Sequence, residues 1–362
     1  MDEIRALVKE HYGLAVLECR EIGSRTLLVT DRGIHYLYSC PAVYRYKRKF
    51  IEKVQKHLQK HCEYGLLPIT KTLAGQSYVI EGEEIYFLQL GVREAIPIDP
   101  AYATGQALAK FHLGTATFTG ERLFYPYRSL GNWPGMWRKK LRHYSSYRDE
   151  MDQERGVINP FDEYLLTSYT YVHHLGEIAV QYLQDGCYQQ IIKETANCGK
   201  IAYQNFDEGY LLFADDGKRY FAGEWSWVID MRARDVGQWI KAEIRKEGWN
   251  EERIGQFLDG YNSCSPLHCD EYAVIYALLL YPGRFLKFVE AYRGVSAEER
   301  EGVDFSDWQE MLDEELFNME SGLRNYPTFV ATRYGAALPP IEWLWRSADE
   351  ETECICEETS SS

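Results

Sequence analysis

The 362-residue sequence has no apolar run long enough to cross a lipid bilayer. Its longest nearly pure apolar stretch, Ala273 to Tyr281, is closed by Pro282 and Gly283. That stretch is about half of the ~20 residues that a membrane span requires. The first residues, MDEIRALVKEHYG, also contain no apolar segment, so we expect neither a secretory signal nor a lipidation motif. The sequence therefore predicts no transmembrane segment and a protein that stays inside the cell that makes it.

Positively charged residues are outnumbered by negatively charged ones. Lys and Arg number 40 against 55 Asp and Glu, which gives a net charge of −15. A surface this acidic repels phosphate backbones and anionic lipid headgroups, so neither nucleic acid nor a membrane is an expected partner. The nine cysteines are an odd number in a long chain without an export signal, and we expect reduced thiols.

Length and composition indicate a folded protein with more than one hydrophobic core. The 45% hydrophobic and 26% charged content is that of an ordinary globular protein. A chain of 362 residues exceeds what one core usually serves, which predicts two lobes. Tyrosine is unusually frequent, at 28 residues.

The order of predicted elements divides the chain into a β-rich part and a helical part. After a short helix, the predicted strands are 14–21, 26–30, 34–38, 66–72, 77–81 and 85–90, with a helix around Phe50 to Leu58. The predicted helices that follow are 101–113, 133–147, 162–183, 236–247, 251–261 and 270–292. We predict an α+β fold with a β-rich N-terminal lobe at 1–92 and a mainly helical C-terminal lobe at 93–345.

A predicted hairpin interrupts the helical part, and a predicted tail follows it. Short β-like runs at 210–213 and 219–222 are joined by the turn Asp215-Asp216-Gly217, and a hairpin embedded in a helical lobe is where we expect a functional site. From Asp349 the last fourteen residues contain six acids and no base, so residues 346–362 are predicted to be a disordered acidic tail.

Four segments, taken in order, resemble one protein family. They are Ala107 to His112 at a helix end, 201–213, Arg234-Asp235-Val236 at a helix start, and 279–285. Their order and spacing resemble the kinase-like fold of aminoglycoside and choline phosphotransferases, and more closely the spore-coat CotS family of kinase-like proteins. Within that family, the segments Gly131 to Trp137 and Glu224 to Asp230 look most like the YutH branch. The resemblance implies a two-lobed protein-kinase-like fold and a place in the bacterial spore coat.

The resemblance also implies four functional positions, and each holds a different residue here. An active member needs a lysine on the phosphates, a catalytic Asp, and an Asn and an Asp on Mg²⁺. The family's loop, His-Gly-Asp-x-x-x-x-Asn-Leu, falls on 203–211, where Asn205 replaces the Asp and Tyr210 replaces the Asn. The metal-binding Asp of the following strand falls on Gly223, and the lysine of the third strand falls on Tyr38.

These replacements predict that phosphotransfer has been lost. An amide takes up no proton at neutral pH, and the loss of a general base typically costs about 10²- to 10⁴-fold in rate. A neutral phenol and a bare backbone cannot replace hard oxygen ligands for Mg²⁺. We expect Tyr38, Tyr203 and Tyr210 to fill a cleft that is polar in a working relative, and we expect no catalytic residue, cofactor or metal.

Two nearby carboxylates keep an alternative open. Asp207 lies two residues past Asn205, and Glu224 follows Gly223, although a one-residue step on a strand turns a side chain to the opposite face. With these carboxylates in displaced roles, the protein would be an ATP- and Mg²⁺-dependent small-molecule kinase or a nucleotide sensor. The segment Glu21 to Arg25 has one glycine and predicts a plain hairpin turn instead of a phosphate loop.

Two groupings of histidine and cysteine have spacings that could bind a metal. His57 and His61 are four residues apart on a predicted helix with Cys62 beside them, and we favour partly buried packing histidines. The second grouping is Cys264, His268 and Cys269. It lacks a second ligand pair, so neither grouping predicts a metal site.

A basic stretch runs from Arg45 to Lys49, with Lys53 beyond it. A solvated helix face is the favoured interpretation, and an anion or an acidic partner is the other. In family members a helix-borne acid in this region pairs with the lysine of the third strand. With Tyr38 at that position, Glu52 has lost this partner.

We therefore predict a spore-coat-associated pseudokinase with a structural or binding role. The resemblance implies synthesis in the mother-cell cytoplasm, assembly into the spore coat and other coat proteins as partners. Cys354 and Cys356 in the acidic tail, and exposed tyrosines elsewhere, could crosslink in an oxidising assembly; an inert tail is the other interpretation.

Overall fold

The computed structural model describes residues 2–23, 25–120, 122–153, 159–185, 188–198, 201–296, 300, 304–339 and 341–344. Within them the chain forms two compact units, and each is built from several stretches of sequence. The first comprises 1–130, 192–239 and 252–266, and the second comprises 131–191, 240–251 and the chain from 267 onward. The first unit continues past residue 92, so the division into lobes at that residue stays a prediction. The acidic tail and both of its cysteines lie outside the described residues.

The first unit begins with a helix and an antiparallel sheet. The elements are α1 (Asp2–Tyr12), β1 (Val16–Ile22), β2 (Arg25–Thr30), β3 (Gly33–Pro41), α2 (Arg48–His61), β4 (Gly65–Leu66), β5 (Ile69–Thr70), β6 (Val79–Glu81) and β7 (Glu84–Leu90). The sheet has the order β1-β2-β3-β7-β5, and β6 also pairs with β7. Leu7 and Val8 of α1 are buried against Leu28, Leu37 and Leu88 of the sheet, because alternate residues on these strands face the same side.

The remaining elements of the first unit place the hairpin that the sequence predicts. They are α3 (Pro100–Gly114), β8 (Ile201–Tyr203), β9 (Leu211–Phe213), β10 (Arg219–Phe221), β11 (Trp227–Ile229), α8 (Ala233–Glu247, up to residue 239) and α9 (Glu251–Cys264). β9 and β10 form an antiparallel hairpin, and β4 pairs in parallel with β10. β8 pairs with β11, so Tyr203 lies opposite Trp227. The hairpin prediction is confirmed, and Gly217 supplies the positive φ of its turn.

The second unit is helical. Its helices are α4 (Trp133–Gln153), α5 (Pro160–Thr167), α6 (Tyr169–Asp185), α10 (Cys269–Leu280), α11 (Gly283–Arg293) and α12 (Ser306–Tyr334), while α7 (Tyr188–Cys198) continues into the first unit. Lys241 Nζ donates to the carbonyl oxygens of Leu278, Leu279 and Tyr281, which satisfies the C-terminal end of α10. The predicted α+β class, with a β-sheet N-terminal region and a larger helical C-terminal region, is confirmed.

Two predicted helices are each divided in the structure. The prediction of one helix at 162–183 is wrong, because α5 ends at Thr167, whose hydroxyl donates to the carbonyl oxygens of Glu163 and Tyr164. Such side-chain bonds compete with the helical hydrogen bonds of the backbone. The helix predicted at 270–292 breaks at Pro282, which has no N–H to donate and disfavours helical geometry at the residue before it.

One segment has the length and composition of a membrane span. It covers Cys269–Arg293, and 67% of its most apolar 18-residue window is buried inside the protein. A core helix passes the same test, so length and composition are weak evidence for a span here. The expectation of no membrane segment stays a prediction.

Candidate functional site

The loop that follows β8 is fixed by a buried aspartate on α8. Both carboxylate oxygens of Asp235 accept a hydrogen bond from the Tyr203 backbone N–H, at 2.9 and 3.0 Å. Asp235 Oδ2 also lies 3.0 Å from His112 Nε2, and His112 Nδ1 lies 2.7 Å from the Tyr261 hydroxyl. Burial raises the pKa of Asp235 well above its usual range. Three of the four segments that carry the resemblance thus meet in one buried polar network.

The next residue of the loop is held by the first turns of α8. The Gln204 carbonyl oxygen accepts hydrogen bonds from Arg234 Nη2 at 2.8 Å and from Gln238 Nε2 at 2.9 Å. Arg234 Nη1 also pairs with the buried Asp230 at 2.7 Å. The backbone of the catalytic-like loop is therefore positioned by neutralised, hydrogen-bonded groups, while its side chains have changed.

Tyr210 and Gly223, the two positions that the resemblance assigns to Mg²⁺ ligands, lie directly against each other. Gly223 adopts φ +72°, and a Cβ placed on it would lie 2.5 Å from Cδ1 of the Tyr210 ring. Any side chain at 223 would therefore collide with Tyr210 and would also be strained. The two replacements depend on each other, since Tyr210 occupies the space that a side chain at residue 223 would need.

Tyr210 belongs to a column of aromatic rings. Tyr38 stacks on Phe87, its cross-strand partner on β7, with ring centroids 5.4 Å apart. The Tyr210 ring lies 6.4 Å from Tyr38 and stacks on Tyr203 at 5.2 Å, and Tyr203 lies 4.9 Å from Phe111. The structure thus brings together the three tyrosines that the sequence singled out, in contiguous contact.

The hydroxyl of Tyr38, the residue predicted to replace the family's lysine, is buried. Tyr38 is 3% exposed, and among the described residues its hydroxyl has no hydrogen-bond partner. Burial raises the pKa of this phenol, so it is neutral and supplies no positive charge. A phosphate group gains no charge neutralisation from this residue.

One buried cation of this region is an arginine that the sequence analysis missed. Arg25 on β2 is 5% exposed and pairs with both carboxylate oxygens of Glu94, at 2.8 and 2.7 Å. It also donates to the Gly209 carbonyl oxygen and lies over the Tyr36 ring at 4.6 Å. These bonds tie the start of β2 to the loop before β9.

Asp207, the first candidate for a displaced carboxylate, has a structural role in the loop. Its Oδ1 accepts the Gly209 N–H at 2.8 Å, which caps the short 3-10 turn Glu208–Tyr210. A Cβ placed on Gly23 would lie 3.2 Å from the same oxygen. The turn after β1 therefore lies directly against the Asp207 carboxylate.

Glu224, the second candidate, points into the interior. The strand geometry expected at this residue is wrong, because the left-handed Gly223 starts a 3-10 turn at Glu224–Ser226. The carboxylate of Glu224 accepts hydrogen bonds from Gln89 Nε2, at 3.0 and 3.2 Å, and from Gln55 Nε2 at 3.4 Å. It is 1% exposed, and burial raises its pKa to about 7. The structure does not bring Glu224 and Asp207 together as a ligand pair.

One residue of the basic stretch is buried, so the solvated-face interpretation is wrong for it. Lys47 is 1% exposed, and its Nζ donates to the Trp225 carbonyl oxygen at 2.9 Å. The ammonium group also lies 5.2 Å from the Tyr44 ring centroid. Burial lowers its pKa to about 7. Glu52, by contrast, pairs with Arg48 at 2.8 Å on the exposed side of α2.

The residues at these positions do not fit Mg²⁺. The metal prefers several oxygen ligands at fixed geometry, and here a phenol ring fills the space at residue 223. Among the described residues, no group of three or more His, Cys, Asp or Glu side chains is arranged to hold a metal ion.

His57 and His61 have ring centroids 4.4 Å apart, with His57 against Phe118. In the second grouping, His268 lies at the start of α10, where its backbone N–H donates a hydrogen bond to the Glu271 side chain.

Residues 5–325 match a family model described as "Spore coat putative kinase YutH". The chain belongs to this family. It is 24% identical over 256 residues to the endospore coat-associated protein YutH of Bacillus subtilis, covering 68% of this chain and 71% of that relative. The predicted family and branch are confirmed.

Solved structures with the same fold as this YutH-family protein are phosphotransferases. An aminoglycoside phosphotransferase from Alicyclobacillus acidocaldarius has a TM-score of 0.66 at 14% identity, covering 89% of this chain and 93% of that one. A microcompartment-associated aminopropanol kinase has a TM-score of 0.60 at 11% identity, covering 91% and 98%. At these identities the likeness shows the fold alone, and the predicted aminoglycoside phosphotransferase-like fold is confirmed.

Proposed function

We propose that this YutH-family protein is a pseudokinase with a structural or binding role in the endospore coat. The observation that carries the proposal is the contact between residues 210 and 223, where the Tyr210 ring lies where a metal-binding side chain would have to be. Loss of the metal site removes most of the catalysis, because the parts of a phosphotransfer site act as a unit.

The surrounding contacts support the same proposal. Tyr38 supplies no charge, and Arg25 is engaged by Glu94 and the Gly209 carbonyl oxygen. Asp207 caps a turn and Glu224 accepts from Gln89, so both carboxylates of the alternative kinase have structural roles. In contrast, Asp235 keeps the loop backbone in place. Retention of the scaffold without these side chains is what a role based on shape requires.

The setting comes from the relatives. The Bacillus subtilis relative is described as endospore coat-associated. On that basis we propose synthesis in the mother-cell cytoplasm, assembly into the coat, other coat proteins as partners, and no requirement for ATP or Mg²⁺.

The test is phosphate transfer or release from ATP with Mg²⁺, measured on the full chain and on two variants. We expect no turnover above the protein-free rate for the full chain. Asp207→Asn removes the carboxylate of the alternative site, and Asp216→Asn removes an exposed carboxylate in the β9–β10 turn as a matched control. Turnover that Asp207→Asn abolishes and Asp216→Asn preserves would establish the small-molecule kinase instead.

A further inference from the structure

The exposed face of α2 carries a stripe of lysines. Lys49, Lys53, Lys56 and Lys60 are all exposed, and their spacing of four, three and four residues places them within an arc of about 60° along about 16 Å of helix. We call these four residues the lysine stripe. The buried residues of α2 lie on the opposite face: Phe50, Ile51, Val54 and Leu58.

The single sign of this face distinguishes α2 from α1. The exposed residues of α1 mix acids and bases, with Asp2, Glu3 and Glu10 beside Arg5 and Lys9. On α2 the sole acid is Glu52, at the edge of the lysine stripe, and it pairs with Arg48. The chain as a whole has a net charge of −15. A row of lysines on one helix face therefore creates a local region of positive potential on an acidic protein.

The sequence also contains the complementary charge. Residues 349–358 hold six acids and no base. We propose that the lysine stripe binds this acidic C-terminal segment of a second copy of the chain. The inference deepens the proposed coat role, on which it rests, by naming one partner.

Such a contact can repeat. The stripe and the acidic segment are different surfaces, so each copy carries both partners and the contact is heterologous. A heterologous contact that does not close into a ring adds copies end to end into an open filament. Exposed ion pairs are individually weak, so the association depends on several pairs and on low ionic strength.

Sedimentation velocity of the full chain tests the proposal. At about 100 µM protein we expect oligomers at about 20 mM ionic strength and monomer at about 300 mM, because screening shortens the reach of the charges. The stripe variant Lys49→Glu, Lys53→Glu, Lys56→Glu, Lys60→Glu is expected to stay monomeric. The control variant Lys9→Glu, Lys71→Glu, Lys139→Glu, Lys287→Glu changes four exposed lysines and the net charge equally, and is expected to associate.

A charge swap identifies the occupant. The tail variant Glu350→Lys, Glu351→Lys, Glu353→Lys, Glu357→Lys is expected to be monomeric alone, and an equal mixture with the stripe variant is expected to associate again. A wild-type chain that stays monomeric at low salt overturns the proposal. Association of the stripe variant alone or of the tail variant alone also overturns it, because the contact would then not depend on the exchanged charges. Binding of the stripe to anionic vesicles without self-association would assign the surface to a lipid instead. None of these outcomes depends on ATP turnover, so they are separable from the test of lost phosphotransfer.

Discussion

At the residue scale, the Tyr210 ring and Gly223 are in direct contact, so the ring and a side chain at residue 223 exclude each other. Their relation is only partly accessible to sequence: the motif spacing assigns both positions, but the left-handed φ and the ring contact belong to the folded chain. The same applies to Arg25 and Glu94, which are 69 residues apart and pair across the first unit. Gln89 does leave a signal in the sequence, because it is a polar residue in the otherwise apolar run IYFLQL. In the structure it is fully buried.

Substitution of Gly223 tests the contact with Tyr210. Gly223→Ala is expected to destabilise the protein by about 3 kcal/mol or more, from backbone strain together with the collision at 2.5 Å. Gly217→Ala has a comparable positive φ but no atom within 4 Å of its Cβ, so it should cost only about 1 kcal/mol. Urea denaturation measures both. Adding Tyr210→Ala to Gly223→Ala should recover part of the loss, and purely additive costs would contradict the contact.

The buried carboxyl of Glu224 predicts a dependence of stability on pH. Its pKa is raised from 4.5 to about 7, so between these values the folded state binds more protons than the unfolded state. Stability is therefore lost as the pH rises through this window. Glu224→Gln should change stability little near pH 4 and should stabilise by about 3 kcal/mol above pH 8.

Chemical denaturation at several pH values measures this difference. Glu52→Gln is the control, because Glu52 is only partly buried and pairs with Arg48 near the surface. It should give no comparable pH-dependent gain. A gain for Glu224→Gln that is constant from pH 4 to pH 8 would exclude the raised pKa as its cause.

At the element scale, prediction from sequence succeeded where periodicity was strong and failed at helix ends. The strands β2 and β3, the helix α2 and the β9–β10 hairpin are present as expected. The long helix α12 was not among the predicted helices, and it continues past Pro327, although a proline in a sequence usually marks a helix end. The division at Thr167 depends on local hydrogen bonding that apolar spacing does not report. The division at Pro282 could have been predicted, because a proline in a sequence usually marks a helix end.

Two glycines set the approach of α3 to α9. A Cβ on Gly105 would lie 2.0 Å from the Phe257 carbonyl oxygen, and a Cβ on Gly260 would lie 2.1 Å from that of Tyr102. Either Gly→Ala change should destabilise the protein by about 3 kcal/mol or more, since backbone must move. Thermal unfolding checks this, with Gly135→Ala in α4 as the control.

Gly135 has open space around it, because no atom lies within 4 Å of the place that a Cβ would take, so alanine there should be neutral or slightly stabilising. Equal melting temperatures for Gly105→Ala and Gly135→Ala would contradict a backbone-to-backbone approach of the two helices.

At the scale of the whole molecule, the chain has a phosphotransferase-like fold, and we propose that the side chains of phosphotransfer have been lost. The family and the phosphotransferase-like fold are shown by the comparisons, and both were predictable because motif order survives even where single motifs do not. The role in the coat remains our proposal. A functional fluorescent fusion should form a ring around the forespore during sporulation, and diffuse signal in vegetative cytoplasm without such a ring would contradict that role.

The central claim is that the protein binds no ATP and Mg²⁺ as a kinase does. A thermal-shift titration of the full chain with ATP, with and without Mg²⁺, tests it most directly, because a ligand that binds the native state must raise its stability by mass action. We predict a melting temperature that does not change with nucleotide at either metal concentration. An increase that saturates with ATP and requires Mg²⁺ would contradict the account.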